Sequence, residues 1–122
     1  MSNTKFTALQ EACQKVLQDN WHTTHTIPAE GLYPHQWLWD SCFNAIGWRH
    51  VDVNKAQQEL RHLLKGQWSN GMLPHMIFSD TGSGSRDRQI WQAWRSPHSP
   101  DDIDTSGMTQ PPMLAEAVVQ IG

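Results

Sequence analysis

This chain has no long apolar run and no surplus of basic residues. Its longest uninterrupted apolar stretches are a few residues, far short of the roughly 20 that a membrane-spanning helix requires. With nine Lys and Arg against twelve Asp and Glu, a formal charge of −3 and a pI near 6.1, it lacks the positive field that would neutralise phosphates, which argues against nucleic acid as a partner. The opening Met1-Ser-Asn-Thr-Lys-Phe6 has no charged-then-apolar signal pattern, so the expected location is the cytoplasm, with no membrane contact. Cysteine is scarce: Cys13 and Cys42 lie far apart, each on an apolar helical face, and are expected to be small buried hydrophobes rather than a disulfide. Histidine is plentiful, with seven, and His22-Thr-Thr-His25 is the tightest pair. No cysteine, glutamate or third histidine stands beside that pair at zinc-ligand spacing, so neither a metal nor a cofactor is expected.

What is present is helical periodicity. Phe6, Leu9, Cys13, Val16 and Leu17 fall on one helical stripe, with Asn3 able to cap its start. Val53, Ala56, Leu60, Leu63 and Leu64 repeat the design after Asp52, a good N-cap, and Gly66 ends that helix with Lys65 in its last turn. Between them, Asp40 or Ser41 can cap a helix to about His50, whose Cys42, Phe43, Ile46 and Trp48 are spread widely enough to predict burial on most sides. A fourth helix is expected from Pro111, behind Thr109, through Leu114, Ala117, Val118 and Ile121, its prolines sitting in the permitted first turn. Apolar side chains continue to Ile121 with no partner helix after them, which suggests a missing neighbour. At 122 residues the chain is one domain or part of one.

The segment Gly31-Leu-Tyr-Pro-His-Gln-Trp-Leu-Trp-Asp-Ser-Cys-Phe-Asn-Ala-Ile-Gly-Trp48 concentrates aromatic and polar groups at a helix start. Aromatic faces suit the C–H side of a pyranose, and fixed polar groups read its hydroxyls. Each tryptophan taken alone is equally explained as core. Residues 67–108 keep no period for long and are rich in Ser, Gly, Asp and Pro, as in Asp80-Thr-Gly-Ser-Gly-Ser-Arg-Asp-Arg88. A connection of such length is expected to build a site or to be disordered. Trp91 and Trp94 favour the first, either as site residues or as anchors pinning the loop to the helices.

Three motifs, Tyr33-Pro-His-Gln-Trp-Leu-Trp-Asp-Ser-Cys-Phe43, Asn70-Gly-Met-Leu-Pro-His-Met-Ile-Phe78 and Thr105-Ser-Gly-Met-Thr-Gln-Pro-Pro112, together resemble the opening part of the (α/α)6 catalytic domain of glycoside hydrolase family 63 and its bacterial relatives, which include mannosylglycerate hydrolases and α-glucosidases. The resemblance implies an all-α fold: a partial (α/α)6 toroid of about four helices, with a long loop between the third and fourth. Residues 1–122 would form a single incomplete domain and 67–108 a mobile flap on the substrate side. It places Trp37, Trp39 and Asp40 on a funnel wall at the non-reducing sugar, brings Gln110 toward the same pocket, and offers Tyr33, Gln36 and His75 as further contacts. For Asp40 a plain capping role stays open beside sugar binding.

The chemistry departs from the family. An inverting glycosidase needs an acid and a base about 6.5–9.5 Å apart, and the resemblance puts both in segments outside this sequence. Of the twelve carboxylates here, only Asp40 falls in a matched site motif. Hence the expectation of an N-terminal part of an α-glycosidase that carries sugar-binding wall but no catalytic residue and is inactive alone, with carbohydrate as ligand and a second copy or the complementary remainder of the domain as partner. The alternative is a small carbohydrate-binding or protein-interaction module that self-associates.

Overall fold

The computed structural model describes residues 2–79 and 85–122, so the 80–84 part of the expected flap lies outside the described residues. Among the described residues five helices carry the architecture: α1 (Ser2–Asp19), α2 (Leu38–Trp48), α3 (Val53–Lys65), α4 (Arg86–Trp91) and α5 (Leu114–Ile121). Four two-residue strands among them pair antiparallel in twos, β1 (Trp21–His22) with β2 (His25–Thr26), and β3 (Gln36–Trp37) with β4 (Met76–Ile77). The fold is all-α with these ribbons as fasteners, and the interval expected to be a long loop contains β4, α4 and a short 3-10 helix over Ala93–Arg95.

α2 is the central element, packed chiefly on α3 and then on α5. Its Leu38, Cys42, Ala45 and Trp48 meet Ala56, Leu60 and Leu63 of α3, Ala117 of α5 and Ile77 of β4 in one buried cluster. Burial of such side chains contributes about 1.5–3 kcal/mol each. α3 starts as its sequence suggests: Asp52 Oδ1 accepts from the N–H groups of Asn54 and Lys55 at 3.0 and 3.3 Å. It ends at Gly66 for a reason that periodicity does not carry. The φ there is an ordinary −82°, but a Cβ would stand 2.7 Å from Ile77 Cδ1 and 2.8 Å from its Cγ1, so any larger residue would have to displace the buried Ile77 side chain.

Several local expectations are corrected. α1 begins at Ser2, which leaves Asn3 inside the helix, its carbonyl accepting from Thr7 Oγ1 at 2.7 Å, rather than at a cap. The α1 stripe forms but faces outward: Phe6, Leu9 and Val16 are each about 60% exposed, Cys13 is exposed and free, and only Leu17 packs inward. Phe43 is half exposed as well, edge-on to Trp39. α5 starts at Leu114, after the two prolines rather than with them.

The start of α2 differs most. Trp37 holds the N-cap position with no side-chain cap, Asp40 lies in the first turn and Ser41 is fully buried. The orphan donors are met from elsewhere. Leu38 N–H donates to the His75 carbonyl at 3.0 Å, and Trp39 N–H donates to Gln110 Oε1 at 3.2 Å, from 71 residues away.

Beneath that start lies Glu59, fully buried on α3. Its Oε2 accepts from the N–H and hydroxyl of Thr26 at 2.7 and 2.6 Å, and its Oε1 from Ser41 Oγ at 2.6 Å. Trp48 Nε1 donates to Thr26 Oγ1 at 2.8 Å, and Gln36 Nε2 donates to both Ser41 Oγ (2.9 Å) and the Glu59 carbonyl (3.1 Å). Burial pushes the Glu59 carboxyl up to about 7, against the opposing pull of hydrogen bonds from Ser41, Thr26 and Gln36.

These contacts generate two predictions. Because the folded-state value for Glu59 is raised from 4.5, proton binding favours the folded chain; its contribution is complete below about pH 4.5 and is lost as pH climbs through about 7. The unfolding free energy of wild type relative to Glu59→Gln is therefore expected to fall by about 3 kcal/mol across that range in urea titrations; a difference independent of pH would contradict it. Gln110→Ala removes the side-chain bond to the Trp39 N–H at the α2 start, and is expected to cost about 1 kcal/mol and to speed amide exchange at Trp39. Unchanged exchange at that amide would show that Gln110 caps nothing.

Candidate functional site

The β3–α2 junction decides what faces solvent. In a strand, neighbouring side chains point to opposite faces, so Gln36 turns fully inward while Trp37 leans out, and the first turn of α2 then carries Trp39 and Asp40 to the surface side. Tyr33, Trp37, Trp39, Asp40 and Gln110 line one cavity together with Pro28, about 190 Å³ in volume. Five of the seven sequence-derived candidates thus converge, from positions as far apart as Tyr33 and Gln110.

The lining is aromatic on one side and polar on the other. Tyr33 stands edge-on to Trp37 with centroids 6.0 Å apart, and both Tyr33 and Trp39 remain more than 40% exposed. Asp40 sits at the N-terminal turn of α2, where the helix dipole favours negative charge. Partial burial nonetheless raises its carboxyl above the ordinary aspartate range, and a hydrogen bond from its own backbone N–H opposes the rise. Pockets for drug-sized ligands run about 300–1,000 Å³, so this cavity offers room for a ring rather than for an oligosaccharide.

The other two candidates lie behind the wall. Gln36 does not reach the cavity: its amide nitrogen serves Ser41 and Glu59, and its oxygen is 2.5 Å from His62 Nδ1. His75 is buried, with Ser106 Oγ 2.6 Å from its Nδ1, and burial lowers its pKa. It stands edge-on to Trp37 on one side and to Trp91 on the other, 5.2 Å between centroids in each case, and so backs the Trp37 ring. Trp91 therefore acts as an anchor. Trp94 is half exposed between the guanidinium groups of Arg88 and Arg95, at 5.3 and 5.8 Å.

The described part of the 67–108 interval is tied to the site motif. Ser79 N–H donates to His35 Nδ1 at 3.0 Å, which leaves the ring proton on Nε2, where it meets Asp87 Oδ2 at 2.7 Å. Arg88 Nε donates to Asp104 Oδ1 at 3.1 Å. Trp68 Nε1 donates to Thr105 Oγ1 at 3.0 Å. Among the described residues one buried side-chain polar atom lacks a partner, Trp37 Nε1.

Sequence reasoning missed Pro28 and Glu59. Pro28 carries no local signal, since only tertiary packing brings it to the wall. Glu59 had one: it falls at i+3 in the Ala56, Leu60, Leu63 stripe, where a carboxylate interrupts an otherwise apolar face. A second cavity, about 310 Å³, is lined in part by His22, His25, His62, Ser79 and Asp104. His25 and His62 stack at 4.3 Å, and burial, with His62 and His22 adding to it, drives His25 down to about 4. Among the described residues no three metal-ligating side chains are placed to hold an ion, and no helix is long and apolar enough to cross a membrane.

Comparison with known proteins bears on this geometry. Residues 33–121 match the family described as the mannosylglycerate hydrolase MGH1-like glycoside hydrolase domain. The chain is 42% identical over 107 residues to a mannosylglycerate hydrolase of Rubrobacter radiotolerans, covering 87% of this chain and 24% of that one. It is 41% identical over 120 residues to a glucosylglycerate hydrolase of Mycolicibacterium hassiacum, covering 95% and 27%. The crystal structure of a GH63 mannosylglycerate hydrolase from Thermus thermophilus, in complex with Tris and D-glycerate, superposes with a TM-score of 0.74 at 44% identity, over 93% of this chain and 26% of that one. The chain thus spans about a quarter of the length of the relatives it matches. On the match over residues 33–121 and the shared helical scaffold, this chain belongs to the MGH1-like glycoside hydrolases, of whose (α/α)6 toroid it forms an all-α part.

Proposed function

We propose that this chain carries part of the sugar-binding wall of an inverting α-glycosidase acting on a hexose α-linked to a small acid such as glycerate. The observation that carries the reading is the convergence of Trp37, Trp39, Asp40 and Gln110 on one concave surface. The exposed Trp39 and Tyr33 rings would take the apolar face of the pyranose, and the Asp40 carboxylate would accept from its hydroxyls. Gln110 spends its oxygen on Trp39 N–H and keeps its amide N–H groups for the ligand. The names of the matched relatives, mannosylglycerate and glucosylglycerate hydrolases, support the choice of sugar class. Among the described residues Asp40 is the one carboxylate at the cavity, whereas inverting hydrolysis needs two, one to protonate the leaving oxygen and one to activate water. The wall binds and the chain alone does not turn over.

A second reading, a carbohydrate-binding module that associates through its helices, is favoured by the exposed apolar stripe of α1, with Phe6, Leu9 and Val16, and by Val118 and Val119 on α5.

Titration with mannose, glucose and short α-linked oligosaccharides is expected to quench tryptophan fluorescence with affinity around millimolar, as part of a site should give, and Trp39→Ala is expected to abolish it. Hydrolysis of mannosylglycerate or aryl α-glucosides by the chain above a buffer blank would overturn the assignment of no catalytic pair. Light scattering separates the second reading: a monodisperse monomer at high concentration that takes up no apolar dye would exclude association through α1 and α5.

A further inference from the structure

The wall tetrapeptide Trp37-Leu38-Trp39-Asp40 is bracketed in sequence by Gln36 and Ser41, and these two brackets are bonded to each other. Gln36 Nε2 donates to Ser41 Oγ at 2.9 Å, so both ends of the turn are fastened side chain to side chain. Both also reach Glu59: Ser41 Oγ donates to its carboxylate at 2.6 Å and Gln36 Nε2 to its carbonyl at 3.1 Å. The same carboxylate holds Thr26, two residues before the wall residue Pro28, by its N–H and its hydroxyl. All four side chains, Thr26, Gln36, Ser41 and Glu59, are at most 3% exposed, so no ligand touches them.

We propose that Glu59 is a positioning residue for the sugar wall: its ionised carboxylate closes a clasp on Gln36, Ser41 and Thr26 that fixes the Trp37–Asp40 turn, and hexose affinity follows the ionisation of this interior group. The inference rests on the sugar-wall reading above, and adds to it a control on the wall from behind.

The direction of every bond supports the ionised form. Thr26 N–H is an obligate donor. Thr26 Oγ1 accepts from Trp48 Nε1, and Ser41 Oγ from Gln36 Nε2, and each hydroxyl keeps its one proton to donate to an ionised Glu59. Three donors aim at the carboxylate, which in its ionised form accepts from all of them. Protonation at Oε1 would set two protons between Glu59 and Ser41, so the Ser41 hydroxyl would have to rotate and accept from Glu59 instead of donating, which loosens one end of the turn.

Other titratable and charged groups lie on the surrounding elements. From β2 comes His25, which burial drives down to about 4. α3 itself adds His62, lowered by burial, and Lys55, whose Nζ lies 4.6 Å from the Trp48 centroid. α2 brings Cys42, its thiol pushed up to about 11 by burial and then by the Glu59 charge, and Asp40, raised by burial. β3 has none, and α5 carries the exposed Glu116. Burial pushes Glu59 itself up to about 7, where a change of one pH unit shifts its charge.

The test uses the full chain as wild type, Glu59→Gln and Ser41→Ala, titrated with methyl α-mannoside across pH, alongside fluorine NMR of fluorotryptophan-labelled protein with Trp39 assigned through Trp39→Phe. In the wild type, affinity is expected to weaken roughly tenfold as pH falls through about 7, and the ligand-free Trp39 signal, from a ring that makes no contact with Glu59, is expected to move over the same interval. In Glu59→Gln both are expected to be flat, with affinity held at the weak level and helix content unchanged by circular dichroism. A Glu59→Gln chain that keeps the wild-type pH profile overturns the proposal and assigns the dependence to Asp40. Should that variant not fold, Ser41→Ala decides: a damped profile supports the clasp and an unaltered one sinks it. If no sugar binds the wild type at any pH, the wall reading fails on its own, while the Trp39 signal still settles the clasp.

Discussion

The one buried carboxylate of α3 is the constraint on which the rest of the structure depends. A carboxyl group removed from water is tolerated only where hydrogen-bond partners replace the lost hydration, and leaving one unpaired costs on the order of what a whole small domain has to spare. Glu59 meets that demand with three donors drawn from β2 and α2. The dependence is mutual. Thr26 and Trp48 are bonded through the same centre, and Gln36 through Ser41, so the hairpin, the β3 strand and two helices are held in register by one buried carboxyl group. The apolar cluster of Leu38, Cys42, Ala45, Leu60 and Leu63 supplies the affinity between α2 and α3. It is non-directional, and the network selects which rotation of α2 about its axis is the native one.

That rotation is what creates the site. The side-chain alternation at β3 sends Gln36 to the network and Trp37 toward the cavity, and the helix that follows at once turns Trp39 and Asp40 the same way. Because the N-terminus of α2 opens at the wall, its donors and dipole are part of the site, and Gln110 touches both, as cap for Trp39 and as cavity lining. A residue that closes a helix start and also lines the cavity makes the shape of the cavity and local order interdependent. The aromatic series Tyr33, Trp37, His75, Trp91 stiffens the wall from behind through edge-on contacts, each worth about 0.5–1.5 kcal/mol beyond burial.

How much of this could be read beforehand depends on the range of the interaction concerned. The α3 cap at Asp52 and its end at Gly66 are local, and periodicity found them, although the reason for Gly66 lies in the distant Ile77. The start of α2 misled because Asp40 and Ser41 are good capping residues by type, whereas tertiary partners, the His75 carbonyl and Gln110, had taken up the orphan donors. Gln36 was grouped with the wall because motif membership says nothing about strand parity. Phe6, Leu9, Cys13 and Val16 show the converse error: a helical stripe predicts that a face is apolar, not that something within the chain covers it. The motifs themselves, at Tyr33, Asn70 and Thr105, carried the family correctly since they encode the junctions where β3, β4 and the α2 start meet.

Polar and apolar demands are satisfied over different distances in this molecule, which bears on what a chain a quarter the length of its relatives can do. Hydrogen bonding is almost wholly internal: among the described residues the buried side-chain polar atoms find partners, apart from Trp37 Nε1 at the wall. Apolar burial is not, since large side chains of α1 and α5 stay open to water. Hydrogen bonds are directional and specify geometry, while the area buried sets most of the stability. A stretch with its polar network closed and its apolar faces open therefore retains the shape of its cavity wall while falling short in the free energy that holds it. Covering the α1 and α5 faces would add stability without needing to alter the wall, because the groups that orient Trp37, Trp39 and Asp40 already lie within reach of Glu59 and Gln110.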